Sequence, residues 1–193
     1  MVRWPGRIPA GVVSNEIIQH HDWLPTFLAA AGEPNIVDKL KAGHTAGEKT
    51  YKVHIDGYDL LLYLTGEVDE SPRKVFFYFS DDGDLLAIRF DNWKLVFMEQ
   101  RMLGTLQIWS EPFVTLRIPK LFNLRLDPFE RADITSNTYW DWMLDNAFLV
   151  LAAQTVVGQF LETFGEFPPR QKAASFTIDQ VVAKLESVLT AGR

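Results

Sequence analysis

The chain has 193 residues, a formal net charge of -6, 47% apolar residues and 13% aromatics. That balance belongs to a folded globular protein, because disordered chains lack the apolar groups that offset ordering entropy. The acidic excess disfavours a nucleic-acid partner, which needs a basic face to displace phosphate counterions. The absence of cysteine excludes a disulfide framework, thiolate zinc sites and a cysteine nucleophile.

The chain opens on Met1 to Gly11, rich in Pro and Gly and without an apolar stretch of signal-peptide length. A short strand is expected over Glu16 to His20. In Asp22-Trp23-Leu24-Pro25-Thr26 the proline fits only a first helical turn, where its missing donor has no internal partner. Asp22 is therefore expected to cap a helix running to about Ala31, with Gly32 as its left-handed stop and Leu24, Phe27, Leu28 and Ala31 as its apolar face.

Pro34 to Lys52 is polar, holds Gly43 and Gly47, and reads as a connector. Asp56-Gly57 makes a turn, and a short helix follows near Asp59 to Leu64. Val75 to Phe79, Leu85 to Phe90 and Trp93 to Glu99 alternate as three strands of a meander, joined at Asp81-Asp82-Gly83-Asp84 and Asp91-Asn92. Gln100 to Pro119 has no clear period and reads as a long loop; Lys120 to Leu124 is a fourth strand, closed by Asp127-Pro128. Helix is expected over about Thr138 to Phe164, in one or two pieces. A last helix is expected over about Ile178 to Leu189, with a Thr177/Gln180 capping box and a face of Ile178, Val181, Val182, Leu185 and Val188. The greasiest stretch, Ala147 to Leu161, is interrupted by Gln154, Thr155, Gly158 and Gln159 and is too short to span a bilayer. A soluble protein without a membrane partner is expected, with its compartment, periplasmic or cytoplasmic, left open. Strands gathered before helices indicate an α+β fold: a four-stranded antiparallel sheet with packed C-terminal helices.

Four stretches then carry a resemblance. Arg3-Trp4-Pro5-Gly6 with Ile8-Pro9-Ala10-Gly11, His21 to Thr26 closed by Ala31-Gly32, Asp56-Gly57 followed by Leu64-x-Gly66, and Leu121-Phe122-Asn123-Leu124-x-x-Asp127-Pro128-x-Glu130 stand in the order of similar segments in type I sulfatases. The stretch from Asn137 to Trp142 resembles bacterial arylsulfatases in particular. The resemblance implies that residues 1–35 are a strand–helix remnant closing an alkaline-phosphatase-like α/β catalytic domain. Residues 36–52 would be the connector, and residues 53–193 the small C-terminal subdomain.

The family attacks sulfur with a formylglycine made from a Cys/Ser-x-Pro/Ala-x-Arg motif, beside a calcium ion held by acidic residues. No such motif occurs in this sequence; Ser71-Pro72-Arg73 lacks the intervening positions. The resemblance places the calcium ligands and the sulfate-gripping lysines and histidines before the Trp-Pro-Gly segment. No catalytic residue and no cofactor are therefore assigned to this chain, calcium and formylglycine being expected in the full-length family. Without nucleophile, metal or clamp, no developing charge is stabilised, and the chain alone is expected to be inactive.

Other constellations have plainer readings. His20 and His21 are adjacent and would point to opposite faces of an extended segment, which argues against a metal site completed by His44 and His54. Asp81, Asp82 and Asp84 lack the flanking helices of a calcium loop and read as a hairpin turn. The strand aromatics, among them Phe77, Phe90 and Trp93, read as core, and Arg89 and Lys94 as a solvated sheet face. Gln100, Arg101 and Trp109 in the long loop are the polar-aromatic set that the resemblance would place at the substrate rim of an intact enzyme. Two readings stay open: the C-terminal part of an arylsulfatase that pairs with a missing N-terminal domain or self-associates through residues 1–35, and a non-catalytic interaction module from a split or truncated gene.

Overall fold

In the computed structural model residues 1–100, 102 and 106–168 are described. The expected last helix, with Thr177 and Gln180, lies outside the described residues, and so does Arg101.

The second half of the chain is built on four rows of paired side chains. Strands β3 (Val75–Phe79), β4 (Leu85–Phe90), β5 (Trp93–Glu99) and β6 (Val114–Asn123) form an antiparallel meander in that order. Phe77 pairs with Ile88, Ile88 with Leu95 and Leu95 with Leu121. Directly paired residues share a face, so this row is one apolar stripe across the sheet. Two helices, α5 (Tyr139–Asp145) and α6 (Phe148–Glu166), cover it. Ile88, Leu95, Leu121, Tyr139, Met143 and Ala153 form the buried core. Phe160 of α6 stacks on Phe77 with centroids 4.1 Å apart, and Trp142 of α5 stacks on Trp93 at 6.1 Å.

Strand β6 is an edge, and its outward backbone groups need partners. The Tyr139 hydroxyl supplies both: it accepts from the Leu121 N–H and donates to the Leu121 carbonyl, each at 3.0 Å. The strand is also longer than the sequence pattern indicates. It begins at Val114, inside the stretch read as loop, and passes through Pro119. The ladder slips between Val96 and Met98, whose partners are Lys120 and Thr115. Proline cannot donate to a ladder, so a bulge is where a strand tolerates it.

The first half is looser. Helix α1 (Trp23–Ala30) starts where Pro25 requires and is followed by Gly32 at φ 100. No strand forms at Glu16–His20; instead His20–Asp22 is one turn of 3-10 helix. Extended backbone becomes a strand only against a partner strand, and here side chains take that place. The Ser71 hydroxyl donates to the Ile17 carbonyl at 2.9 Å, and the Asp22 carboxylate accepts from the Gln19 N–H at 2.7 Å. The connector is also ordered, as helix α2 (Ile36–Ala42) and a hairpin of β1 (His44–Ala46) with β2 (Lys49–Tyr51). Helix α3 (Leu61–Thr65) follows, and α4 (Ala132–Thr135) sits between β6 and α5.

Helix α6 runs unbroken through Gln154, Thr155 and Gly158 for 19 residues, longer than the Ala147–Leu161 stretch read as too short to span a bilayer. By length and composition it could cross a membrane. Its Ala153 and Phe160 are nonetheless committed to the sheet, as in a core helix with one wet face.

Candidate functional site

Two places concentrate functional groups. The first is a groove of about 570 Å³ between the β3–β4 turn and the stretch before β6, lined among others by Asp82, Asp84, Gln100, Trp109 and Phe113. The turn is locally built: the Ser80 hydroxyl accepts from the N–H groups of Asp82 and Asp84, and Gly83 takes φ 91. Opposite it, Leu106–Trp109 forms a 3-10 turn. Gln100 does not reach into the groove as a free amide. Its Nε2 donates to the Ile108 carbonyl at 3.1 Å and to the Glu111 carbonyl at 2.8 Å. Gln100 thus pins the turn that presents Trp109, which is 84% exposed. Of the expected rim set, Gln100 and Trp109 are brought together, one as a fastener and one as an open aromatic surface.

The second place joins the N-terminal segment to the sheet region. Among the described residues the buried polar and charged residues are Asp22, Thr26, Ser71 and Arg73, and all four sit here. Asp22 occupies the first position before α1 but makes no side-chain cap to it. Its carboxylate instead accepts from Arg73 Nε at 2.8 Å, from Arg73 Nη2, and from the Tyr58 N–H at 2.9 Å. The expectation of a helix cap is corrected: the chain enters α1 straight from a 3-10 turn, so the carboxylate is turned away from the helix amides and toward the guanidinium. Burial alone would raise the Asp22 carboxyl, but the Arg73 hydrogen bonds and the Tyr58 and Gln19 amides outweigh it and hold it below its ordinary value.

Arg73 commits all three of its nitrogens. Nη1 donates to the Val75 carbonyl at 3.2 Å, and the two Nη2 hydrogens are shared among Asp22, the Asp56 carbonyl and His21 Nε2, the last two at 2.8 Å. Its guanidinium lies 4.7 Å from the centroid of the Tyr58 ring. Thr26 extends the network, donating to the Asp22 carbonyl at 2.6 Å and accepting from the Leu60 N–H at 2.9 Å. Gly57 is required by closeness: a Cβ there would lie 2.2 Å from the His21 carbonyl oxygen. Sequence reading missed Arg73 and the partnership of His21. The available signal was an acid beside Pro25 and a lone arginine after Ser71-Pro72, residues too far apart to pair on pattern alone.

Lys94 corrects another expectation. Its side chain is only 14% exposed, and Nζ donates to both carboxylate oxygens of Glu130 at 2.8 Å while lying 4.5 Å from the Tyr78 ring centroid. Glu130 takes φ 53 to reach it. Lys120 bridges Glu99 and Asp133 on the same side of the sheet.

In the groove the Ser80 hydroxyl lies 3.4 Å from the Asp84 carboxylate, and it also accepts from the Asp82 and Asp84 N–H groups as part of the turn. Among the described residues no three His, Asp or Glu side chains converge as a metal site, and the chain has no cysteine.

The model of one family, described as the C-terminal region of aryl-sulfatase, matches residues 71–185. A crystal structure of PsFucS1 sulfatase from Pseudoalteromonas sp. superposes with a TM-score of 0.54 at 22% identity, covering 86% of this chain and 29% of that one. At that identity the likeness shows the fold. The chain spans less than a third of that sulfatase's length. No curated protein sequence matches it. With more than half of its residues matched, the chain belongs to the aryl-sulfatase C-terminal region family.

Proposed function

We propose that this chain is the supporting and rim-forming part of an arylsulfatase and does not cleave sulfate esters by itself. The observation that carries this reading is the family match together with the lack of any Cys/Ser-x-Pro/Ala-x-Arg motif in the sequence. In this reading residues 1–35 close the catalytic α/β domain, residues 53–193 form the small subdomain, and the calcium ion and formylglycine belong to an N-terminal catalytic region. The groove beside Trp109 would then face the organic part of the ester. Sulfate-ester turnover is tested with purified chain and a chromogenic aryl sulfate, alone and after mixing with an N-terminal sulfatase region. No turnover alone and recovery on mixing support the reading; chelator-sensitive turnover by the chain alone overturns it.

The partner would bind through residues 1–35. Phe27 is 64% and Leu24 52% exposed, three residues apart on one face of α1, and Val13 in the segment before it is 88% exposed. Apolar groups left in water on a helix face favour association. Those same exposed groups support the second reading, an interaction module that self-associates or docks on a partner through this segment. Light scattering decides: a monodisperse monomer with residues 1–35 resistant to protease removes the motive for both forms of association.

A further inference from the structure

We propose that His21, Arg73 and Asp22 form an acid-sensitive latch, which holds the segment ending in α1 on the sheet region at neutral pH and loosens as His21 gains a proton. The geometry sets the protonation state. An arginine has no lone pair to offer, so at 2.8 Å from Arg73 Nη2 the His21 Nε2 must be the acceptor. The ring is then neutral and carries its proton on the other nitrogen. A second proton on Nε2 removes this bond and sets two cations face to face.

Arg73 cannot retreat, because it is 3% exposed and its other donors are committed to the Asp22 carboxylate and the Asp56 and Val75 carbonyls. Asp22, at 0% exposure, cannot turn to the new charge without giving up Arg73. His21 is exposed as a residue although its ring is partly buried against Arg73, so protons reach it from solvent. It is a surface group with one atom tied to a buried charge.

The charged groups facing the ring come from three elements: Arg73 before β3, Asp22 on its own turn and Asp56 from the loop after β2. Burial and Arg73 lower the His21 value, and the two carboxylates only partly oppose them. The Asp56 carboxylate is also engaged with His54 Nδ1 at 3.0 Å. A folded value below the ordinary 6.5 means that the unfolded chain binds the proton better. The stability from this contact is therefore complete above about 6.5 and is lost as pH falls below it toward the folded value.

The test compares urea midpoints of the full chain between pH 7.5 and 5 with those of His21→Gln and His54→Gln. Glutamine keeps an acceptor for Arg73 but cannot titrate. The midpoint of the unsubstituted chain should fall over this range, and His21→Gln should flatten the fall more than His54→Gln does. Equal slopes for the unsubstituted chain and His21→Gln overturn the latch. Should His21→Gln not fold, NMR titration of the unsubstituted chain decides. The His21 ring should hold its proton on Nδ1 at pH 7.5 and titrate below the ordinary 6.5; titration at or above that value overturns the proposal. Hydrogen exchange at pH 5.5, corrected for intrinsic rates, should accelerate over residues 20–31 and not over 85–99; uniform behaviour also counts against it.

Discussion

The junction and the sheet are held together by opposite means. In the sheet, rows of Phe77, Ile88, Leu95 and Leu121 exclude water, and the aromatic stacks of α5 and α6 close over them. At the junction a few polar groups are fully desolvated and every one depends on its partner, while the apolar face of α1 stays in water. Apolar burial is non-directional and degrades gradually. A buried ion pair is specific and fails abruptly when one member is lost. Two parts of one chain therefore differ in how they break.

The sharpest way to test that contrast is Asp22→Ala. It leaves Arg73 buried without its counter-charge, which costs about 3–5 kcal/mol, against the roughly 0.5–2 kcal/mol of a lost helix cap. Urea melts followed by tryptophan fluorescence measure it, and a cap-sized loss would return Asp22 to an ordinary helix-entry role. The same pair predicts an acid limb. The Asp22 carboxyl is lowered in the folded state, so its contribution is present above the ordinary 3.8 and is lost as pH falls below that value.

Tyr139→Phe probes the sheet side of the comparison. It keeps the apolar body and strands the Leu121 N–H and carbonyl, costing about 1–3 kcal/mol. Melts should show this loss without altering the latch residues; a neutral result would mean that water reaches the β6 edge. The smallest effect is expected at the groove. Trp109→Ala removes an exposed ring and should shift stability by no more than about 0.5 kcal/mol. In a reconstituted enzyme it should raise KM for bulky aryl esters, and steady-state kinetics check whether it does.

The outcome of sequence reading follows the same division. Strands β3, β4 and β5 lie where alternation and turn residues put them, because each is specified by its own neighbours. Pro25 set the start of α1 for an equally local reason. The reading failed where a partner distant in sequence decides the conformation. Glu16–His20 had the composition of a strand but no ladder to join among the described residues. Val114 onward looked like loop because its pairing with Glu99 and Met98 and its bulge at Pro119 exist only in the folded sheet. Gln100 and Trp109 do line one groove, but the amide's role as a fastener to Ile108 and Glu111 was not legible.

By itself the sequence determined the class of fold, the meander, the family resemblance and the lack of a convertible nucleophile motif. Those rest on residue type, period and short spacing, all local properties. Only the tertiary structure decided that Asp22 serves Arg73 instead of α1, that Lys94 is half-sequestered by Glu130 and Tyr78, and that His21 touches a buried guanidinium. The pairs Asp22–Arg73, His21–Arg73 and Lys94–Glu130 each join groups more than thirty residues apart in sequence. Chain folding brings them within 3 Å, and no periodicity in the sequence encodes such a distance.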